Sequence, residues 1–184
     1  MMMTMKKEKI IYFEKAGPQN TSAVIGLMKE KALEAKPAAV VVASTSGKTG
    51  LEAARTFSGT GIRLLVVPFQ KRMADKHNWH LDSDLKKQCL KSGAVFLPEE
   101  PECKMLDDER NDLIRGWYCM GQGVKVALQV ATMCVDTGLI HEGTTVLSCG
   151  GTGEGADAAV LMTAFGFKNA HKNRINEIIA MVQM

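Results

Sequence analysis

Residues 38–49 read Ala38-Ala39-Val40-Val41-Val42-Ala43-Ser44-Thr45-Ser46-Gly47-Lys48-Thr49. Six apolar residues run without alternation into six that are small, hydroxylated or charged. An unbroken apolar run of this length predicts a strand covered on both faces, as in parallel sheets flanked by helices. Leu51 to Phe57 then resumes apolar side chains at helical spacing, and Arg63 to Val67 (RLLVV) is a further buried strand after the turn Ser58–Gly61. Strand, turn, helix and strand make a βαβ unit, so this stretch decides for an α/β fold.

Toward the N-terminus, Lys9 to Phe13 (KIIYF) predicts a first strand closed by Gly17-Pro18. Asn20-Thr21-Ser22 offers helix caps, and Val24, Leu27, Met28, Ala32 and Ala35 follow at helical spacing until Pro37. Toward the C-terminus, residues 69–82 read as irregular and polar. Leu81 to Lys91 predicts a helix closed by Gly93, Ala94 to Leu97 a fourth strand, and 108–120 helical material. After Gly121-Gln122-Gly123, Val124 to Thr137 predicts a largely buried helix, and Thr144 to Ser148 a fifth strand. Ala158 to Met162 and Ile175 to Met181 predict the last strands, the second also compatible with a helix. The alternation implies a mainly parallel sheet with right-handed crossovers and a ligand site at the carboxyl ends of its strands.

The chain has 184 residues, 46% hydrophobic and 23% charged, proportions that suit one domain spanning 1–184, with 1–8 as a disordered tail. A (β/α)8 barrel of about 250 residues does not fit. The net charge of +3 divides into +8 over residues 1–92 and −5 over 93–184. Between Glu99 and Asp112 seven acids face only Lys104 and Arg110, a solvated acidic run or a partner-binding segment. Small net charge with two Trp and two Tyr argues against nucleic acid as a partner. Five cysteines with no C-x-x-C pair suit reduced thiols in the cytoplasm. MMMTMKKEK has no signal-peptide core, and Lys125, Gln129 and Asp136 interrupt the longest apolar region, Val124 to Ile140, so no membrane association is expected.

Three loops carry polar groups suited to chemistry. Ser44 to Thr49 places hydroxyls, a glycine and a lysine between a buried strand and a helix start, where backbone N–H groups favour an anion. It reads either as a phosphate cradle or as a capped helix. Gly47-Lys48-Thr49 matches the end of G-x-x-x-x-G-K-[ST], but Val42 replaces the first glycine and no later strand ends in an acid for magnesium. An ATPase is therefore not expected. The second loop, Cys149 to Gly155, is glycine-rich without matching G-x-G-x-x-G. It suits either a tight turn or ligand contact. The third, Ala16 to Thr21, offers Asn20 and Thr21 as caps or ligand contacts. His77 and His80 with Asp82 and Asp84 lack metal-ligand spacing, so no metal is expected. Cys149 stands beside the glycine turn without a histidine to activate it, and Cys134 inside the apolar helix reads as inert.

Several of these stretches together resemble one family. AVVVASTSGKTGLEAARTFSGTGIRLLVVPF (39–69), with YFEKAGPQNT (12–21), GQGVKVALQVATMCVDTGLI (121–140), GGTGEGADAAV (150–160) and EIIAM (177–181), resembles stand-alone pyruvate kinase C-terminal-domain-like proteins of archaea and bacteria. The resemblance implies a three-layer α/β/α sandwich with strand order near 3-2-1-4-5 and extra strands at one edge. It implies a binding domain for a phosphorylated small molecule, flavin mononucleotide (FMN), rather than a pyruvate kinase. Phosphate contacts would fall on Ser44, Thr45, Ser46, Gly47, Lys48 and Thr49, with Asn20, Thr21, Gly151, Thr152 and Gly153 as further contacts. Lys48 stands where the kinases often carry a hydroxyl at their sugar-bisphosphate turn. The first-strand loop and the glycine turn are expected to converge beside the phosphate turn. Rival expectations are a flavin-dependent or phosphate-handling enzyme, with Glu154, Asp157 or Asp136 as acid or base, and a regulatory subunit sensing a phosphometabolite. A homo-oligomer is compatible with each.

Overall fold

The computed structural model describes residues 8–98 and 112–183. Residues 1–7 of the expected tail, and the acidic run from Glu99 through residue 111, lie outside them. One sheet of seven strands organises the rest: β1 (Ile11–Phe13), β2 (Val40–Ala43), β3 (Leu64–Val67), β4 (Val95–Phe96), β5 (Thr144–Gly150), β6 (Ala158–Ala164) and β7 (Arg174–Val182). Among the described residues, six α-helices accompany it: α1 (Thr21–Ala35), α2 (Lys48–Phe57), α3 (Lys71–His77), α4 (Ser83–Lys91), α5 (Asp112–Trp117) and α6 (Gln122–Asp136).

The strands lie in the order β1-β7-β6-β5-β2-β3-β4. All pairings are parallel except those of β6 with β5 and β7. The α/β class with a mainly parallel sheet is therefore as the sequence predicts. The place of the first strand is not. β1 sits at the edge, with Ile11 opposite Ala180 and Phe13 opposite Val182. β2 takes the central position between β3 and β5. With three residues, β1 has little apolar surface to bury, whereas β2 presents Val40, Val41 and Val42, all fully buried. Burying a valine side chain contributes roughly 1.5–3 kcal/mol, so the central slots go to the strands that are apolar on both faces.

Alternate residues of β2 feed two separate cores. Val41, with Leu65, Val146 and Val160, packs against Val124, Ala127, Leu128 and Ala131 of α6 and Ile114 of α5. Val40 and Val42, with Leu64, Val66 and Leu147, pack against α1, α2 and Cys89 of α4. Helices thus cover both faces. α1 ends where Lys36 turns left-handed at φ 47 ahead of Pro37, and Lys31 on its last turns is buried against Glu177 of β7 at 2.8 Å. Burial alone lowers the basicity of that ammonium, but hydrogen bonds to Glu177 and Glu34 outweigh it and hold the pKa above the ordinary lysine value.

Two segments depart from expectation. Residues 71–77, read as irregular, form α3, which ends at Asn78 in the left-handed region (φ 53). Such a polar segment has no apolar periodicity to announce a helix. Arg174–Val182 is a strand, which resolves the choice left open there.

The four described cysteines, Cys89, Cys119, Cys134 and Cys149, are free thiols. Complete burial in β5 pushes the Cys149 thiol up to about 12, so it stays protonated and unreactive at neutral pH. Brief treatment of native protein with a thiol reagent, read by mass spectrometry, is expected to label exposed Cys119 and to spare Cys149 until urea unfolds the chain. An unfolded thiol ionises near pH 9 and the buried one does not. Cys149 should therefore cost stability as pH rises from 9 toward 12, at up to about 1.4 kcal/mol per pH unit.

Candidate functional site

A parallel sheet gathers its strand-to-helix loops at one edge, and a crevice opens where neighbouring strands send their chains opposite ways. Here that point lies between β2 and β5. A cavity of about 870 Å³ occupies it, within the size range of small-molecule sites. Ser44, Thr45, Ser46, Lys48 and Thr49 line it after β2, Val67 to Gln70 after β3, Gly151, Gly153, Glu154 and Gly155 after β5, and Pro18 and Thr21 after β1. Gln122, Lys125, Val126 and Gln129 enter from the first turns of α6.

Within the Ser44–Thr49 turn the residues divide by role. Ser44 is buried, and its Oγ accepts the N–H of Gly50 at 2.9 Å, which caps α2 from within. Thr45 and Ser46 are half-buried, while Lys48 is exposed at the cavity wall. Gly47 does not line the cavity. It turns at φ 97, and a Cβ there would meet Leu85 Cβ at 3.0 Å and Leu81 Cδ1 at 3.2 Å, so its missing side chain lets α4 close on α2.

The other candidates also separate. Asn20 is buried and donates through Nδ2 to the carbonyl of Lys15 at 2.7 Å, which makes it a brace of the loop rather than a cavity contact. Thr21 lines the cavity, and its Oγ1 accepts the N–H of Ala156 at 3.0 Å. Gly151 and Gly153 line it, whereas Thr152 turns its backbone N–H to Asp157 Oδ2 at 3.0 Å. The glycine turn joins β5 to antiparallel β6, with Gly150 opposite Ala158. A strand follows it instead of a helix, so it offers no helix N-terminus to a pyrophosphate.

Asp157 is fully buried, and the same Oδ2 accepts the N–H of Gly17 at 3.2 Å. One carboxylate oxygen thus holds the loop after β1 and the hairpin turn together. The expected convergence of these loops on the Ser44–Thr49 turn is observed, although β6 and β7 separate β1 from β5 in the sheet. Of the three carboxylates considered as acid or base, Asp157 faces backbone amides. Asp136 accepts from Phe167 N at 2.8 Å, away from the cavity. Glu154 alone lines it.

No protein-family model matches the chain. Among solved structures, the chain is similar in part to O-ureido-L-serine synthase, with a TM-score of 0.32 and 18% identity over 53% of this chain. That match spans 29% of the synthase chain, and so partial a likeness leaves the site to its own geometry.

The electrostatics of the cavity come from backbone as much as from side chains. Lys48 and Lys125 are formally balanced by Glu52 and Glu154. The N-termini of α2 and α6, helices of ten and fifteen residues, both meet this cavity and add partial positive charge. Lys125 is buried, with its ammonium 5.0 Å from the ring centroid of Tyr118, a cation–π contact at the cavity wall. Lys125 and Gln129 are two of the three residues that interrupt the apolar run in the sequence. Their i, i+4 spacing marks the cavity face of α6, a signal that could have found them.

Phe69, Gln70 and Trp79 were missed, and His77 was weighed only as a metal ligand. Phe69, His77 and Trp79 form an aromatic group, His77 stacked on Trp79 at 5.1 Å and 27°, and Phe69 edge-on to Trp79 at 5.5 Å. Gln70 is buried, and among the described residues neither Nε2 nor Oε1 of its side chain has a hydrogen-bond partner. Leaving a buried amide unpaired costs roughly 1–3 kcal/mol. Asp82 of the imagined metal cluster instead caps α4, accepting the N–H groups of Asp84 and Leu85. Those bonds hold its carboxyl below the usual range. Among the described residues no group of three or more His, Cys, Asp or Glu is gathered as a metal site requires, and no helix is long and apolar enough to cross a membrane.

Proposed function

We propose that this protein binds a phosphorylated small molecule, flavin mononucleotide, with its phosphate against Thr45, Ser46, Lys48 and Thr49. The observation that carries this reading is the meeting of two helix N-termini and a Ser/Thr/Lys turn on one cavity. Backbone N–H groups and hydroxyls donate to phosphate oxygens there, and Lys48 adds a mobile charge at the rim. Ser44 and Gly47 shape the turn, and Gly151, Gly153 and Thr21 line the same cavity. The cavity volume and the unpaired amide of Gln70 fit a ligand larger than phosphate alone. Counted from β2, the strands from β4 to β6 follow the order 3-2-1-4-5 with β7 and β1 added at one edge, which supports a pyruvate kinase C-terminal-like sandwich. The free thiols suit a reducing, cytoplasmic compartment.

Titration of purified protein with FMN and with riboflavin tests the reading. FMN is expected to bind at least tenfold more tightly than riboflavin. Lys48→Ala is expected to weaken FMN by about tenfold, in line with roughly 1.5 kcal/mol for a hydrogen bond to a charged group, and to leave riboflavin unchanged. Equal affinities would remove the phosphate from the reading, and binding of neither would end it.

A second reading, a flavin-dependent or phosphate-handling enzyme, rests on Glu154, a carboxylate that lines the same cavity as the Ser44–Thr49 turn. Reduction of bound FMN by a nicotinamide cofactor, lost in Glu154→Gln, would favour it over simple binding.

A further inference from the structure

Besides the phosphate turn, the segment that follows β3 lines the cavity. Gln70 follows β3 and precedes α3, at a position where a polar side chain commonly folds back to cap the helix. This one makes no cap bond. Its backbone is committed, since Ala74 N donates to Gln70 O at 2.7 Å, but its carboxamide is buried on the cavity wall with donor and acceptor both unpaired. Native proteins satisfy nearly all such groups, and the exceptions call for a specific explanation. Trp79, 47% exposed, lines the same cavity, with His77 stacked on one side and Phe69, the residue before Gln70, edge-on to it. A large aromatic surface beside an unpaired amide matches the chemistry that recognises planar heterocycles, a ring face for stacking and a polar edge for pairing.

We infer that Gln70 and the Trp79 group form a ring-binding subsite, and that Gln70 determines specificity for a heterocycle with an N–H donor and a C=O acceptor side by side on one edge. A carboxamide offers the complementary acceptor and donor in the same plane, so two hydrogen bonds form at once. The pyrimidine ring of a flavin carries such an imide edge. This inference rests on the phosphate reading above and names what the other end of the ligand must be. A sugar phosphate without a planar heterocycle leaves Gln70 unpaired and is held by the phosphate turn alone.

The probes are FMN, FMN methylated at its imide nitrogen (N3), and ribose 5-phosphate, titrated against wild type, Gln70→Leu and Trp79→Leu. Gln70→Leu removes an unpaired buried amide, so thermal unfolding is expected at or above the wild-type temperature, which guards against a folding artefact. FMN is expected to bind wild type at least tenfold more tightly than ribose 5-phosphate. Gln70→Leu should weaken FMN about tenfold and leave ribose 5-phosphate unchanged. The N3-methyl compound should lose a similar factor on wild type and nothing further on Gln70→Leu. Trp79→Leu should weaken both flavins equally. If FMN binds in a phosphate-dependent way but Gln70→Leu or N3-methylation leaves its affinity intact, the subsite is overturned and the phosphate reading stands. If FMN binds no better than ribose 5-phosphate, the ring subsite is likewise overturned. If neither FMN nor ribose 5-phosphate binds, both readings fall together.

Discussion

Asp157→Ala is expected to destabilise the protein by about 3–5 kcal/mol, because it strands the backbone N–H groups of Gly17 and Thr152 that one carboxylate oxygen now accepts. Asp157 is fully buried, so solvating the stranded amides requires opening the packing around them. For a domain whose whole stability is of order 5–15 kcal/mol, that is a large share. The measurement is the midpoint of urea unfolding at unchanged m-value. Asp157→Asn keeps an oxygen able to accept both N–H groups, so it should retain most of the stability that alanine loses. A midpoint for the alanine variant within error of wild type would show that the two loops are held by something else. FMN affinity should fall with the alanine substitution as well, since Asp157 joins the loop carrying Thr21 to the turn carrying Gly151 and Gly153.

Gly150→Ala is expected to be at least as damaging, by about 3 kcal/mol or more, for a steric reason. A Cβ at this position would lie 2.5 Å from the carbonyl oxygen of Gly123 and 2.7 Å from the backbone nitrogen of Ala127. Both belong to α6, and neither can swing aside as the end of a side chain can. α6 sits directly on β5, with Ser148 Oγ donating to the carbonyl of Ala127 at 2.7 Å. Thermal unfolding should drop by roughly 6–12 °C, taking about 2–4 °C per kcal/mol for a chain of this size. Gly153→Ala is the contrast. Its φ of 83 strains a side chain by roughly 1–2 kcal/mol, but nothing lies within 4 Å of a Cβ there. A large loss at 153 with none at 150 would refute this account of how α6 is seated.

What could be read from the sequence was what local chemistry determines. Three consecutive valines after two alanines announce a strand covered on both faces, and Val40 to Val42 are exactly such a strand's buried middle. Ser44 to Thr49 announce a helix start with hydroxyls and a charge, and most of that turn does line the cavity. The edge position of β1 was not legible, because it depends on pairing between Ile11 and Ala180 and on no neighbouring residue. Nor was Gln70, one glutamine in a polar stretch. Only packing reveals that it is buried and that both of its polar atoms lack partners. Asp157 misled in the opposite direction. A carboxylate beside a glycine turn looks chemical on paper, yet it spends itself on backbone amides.

The pairing of β1 with β7 has a consequence in time. A ribosome delivers the first strand long before the strand it must lie against, so β2 to β6 can condense while residues 11–13 still wait. Loop closure over some 170 residues comes last and slowly, since distant pairings form against the entropy of the intervening chain. Pro18 and Thr21 travel with that late segment. The cavity wall is therefore finished only when β7 has been made and captured β1, and a nascent chain stalled before Arg174 should already hold a sheet but not yet a closed cavity.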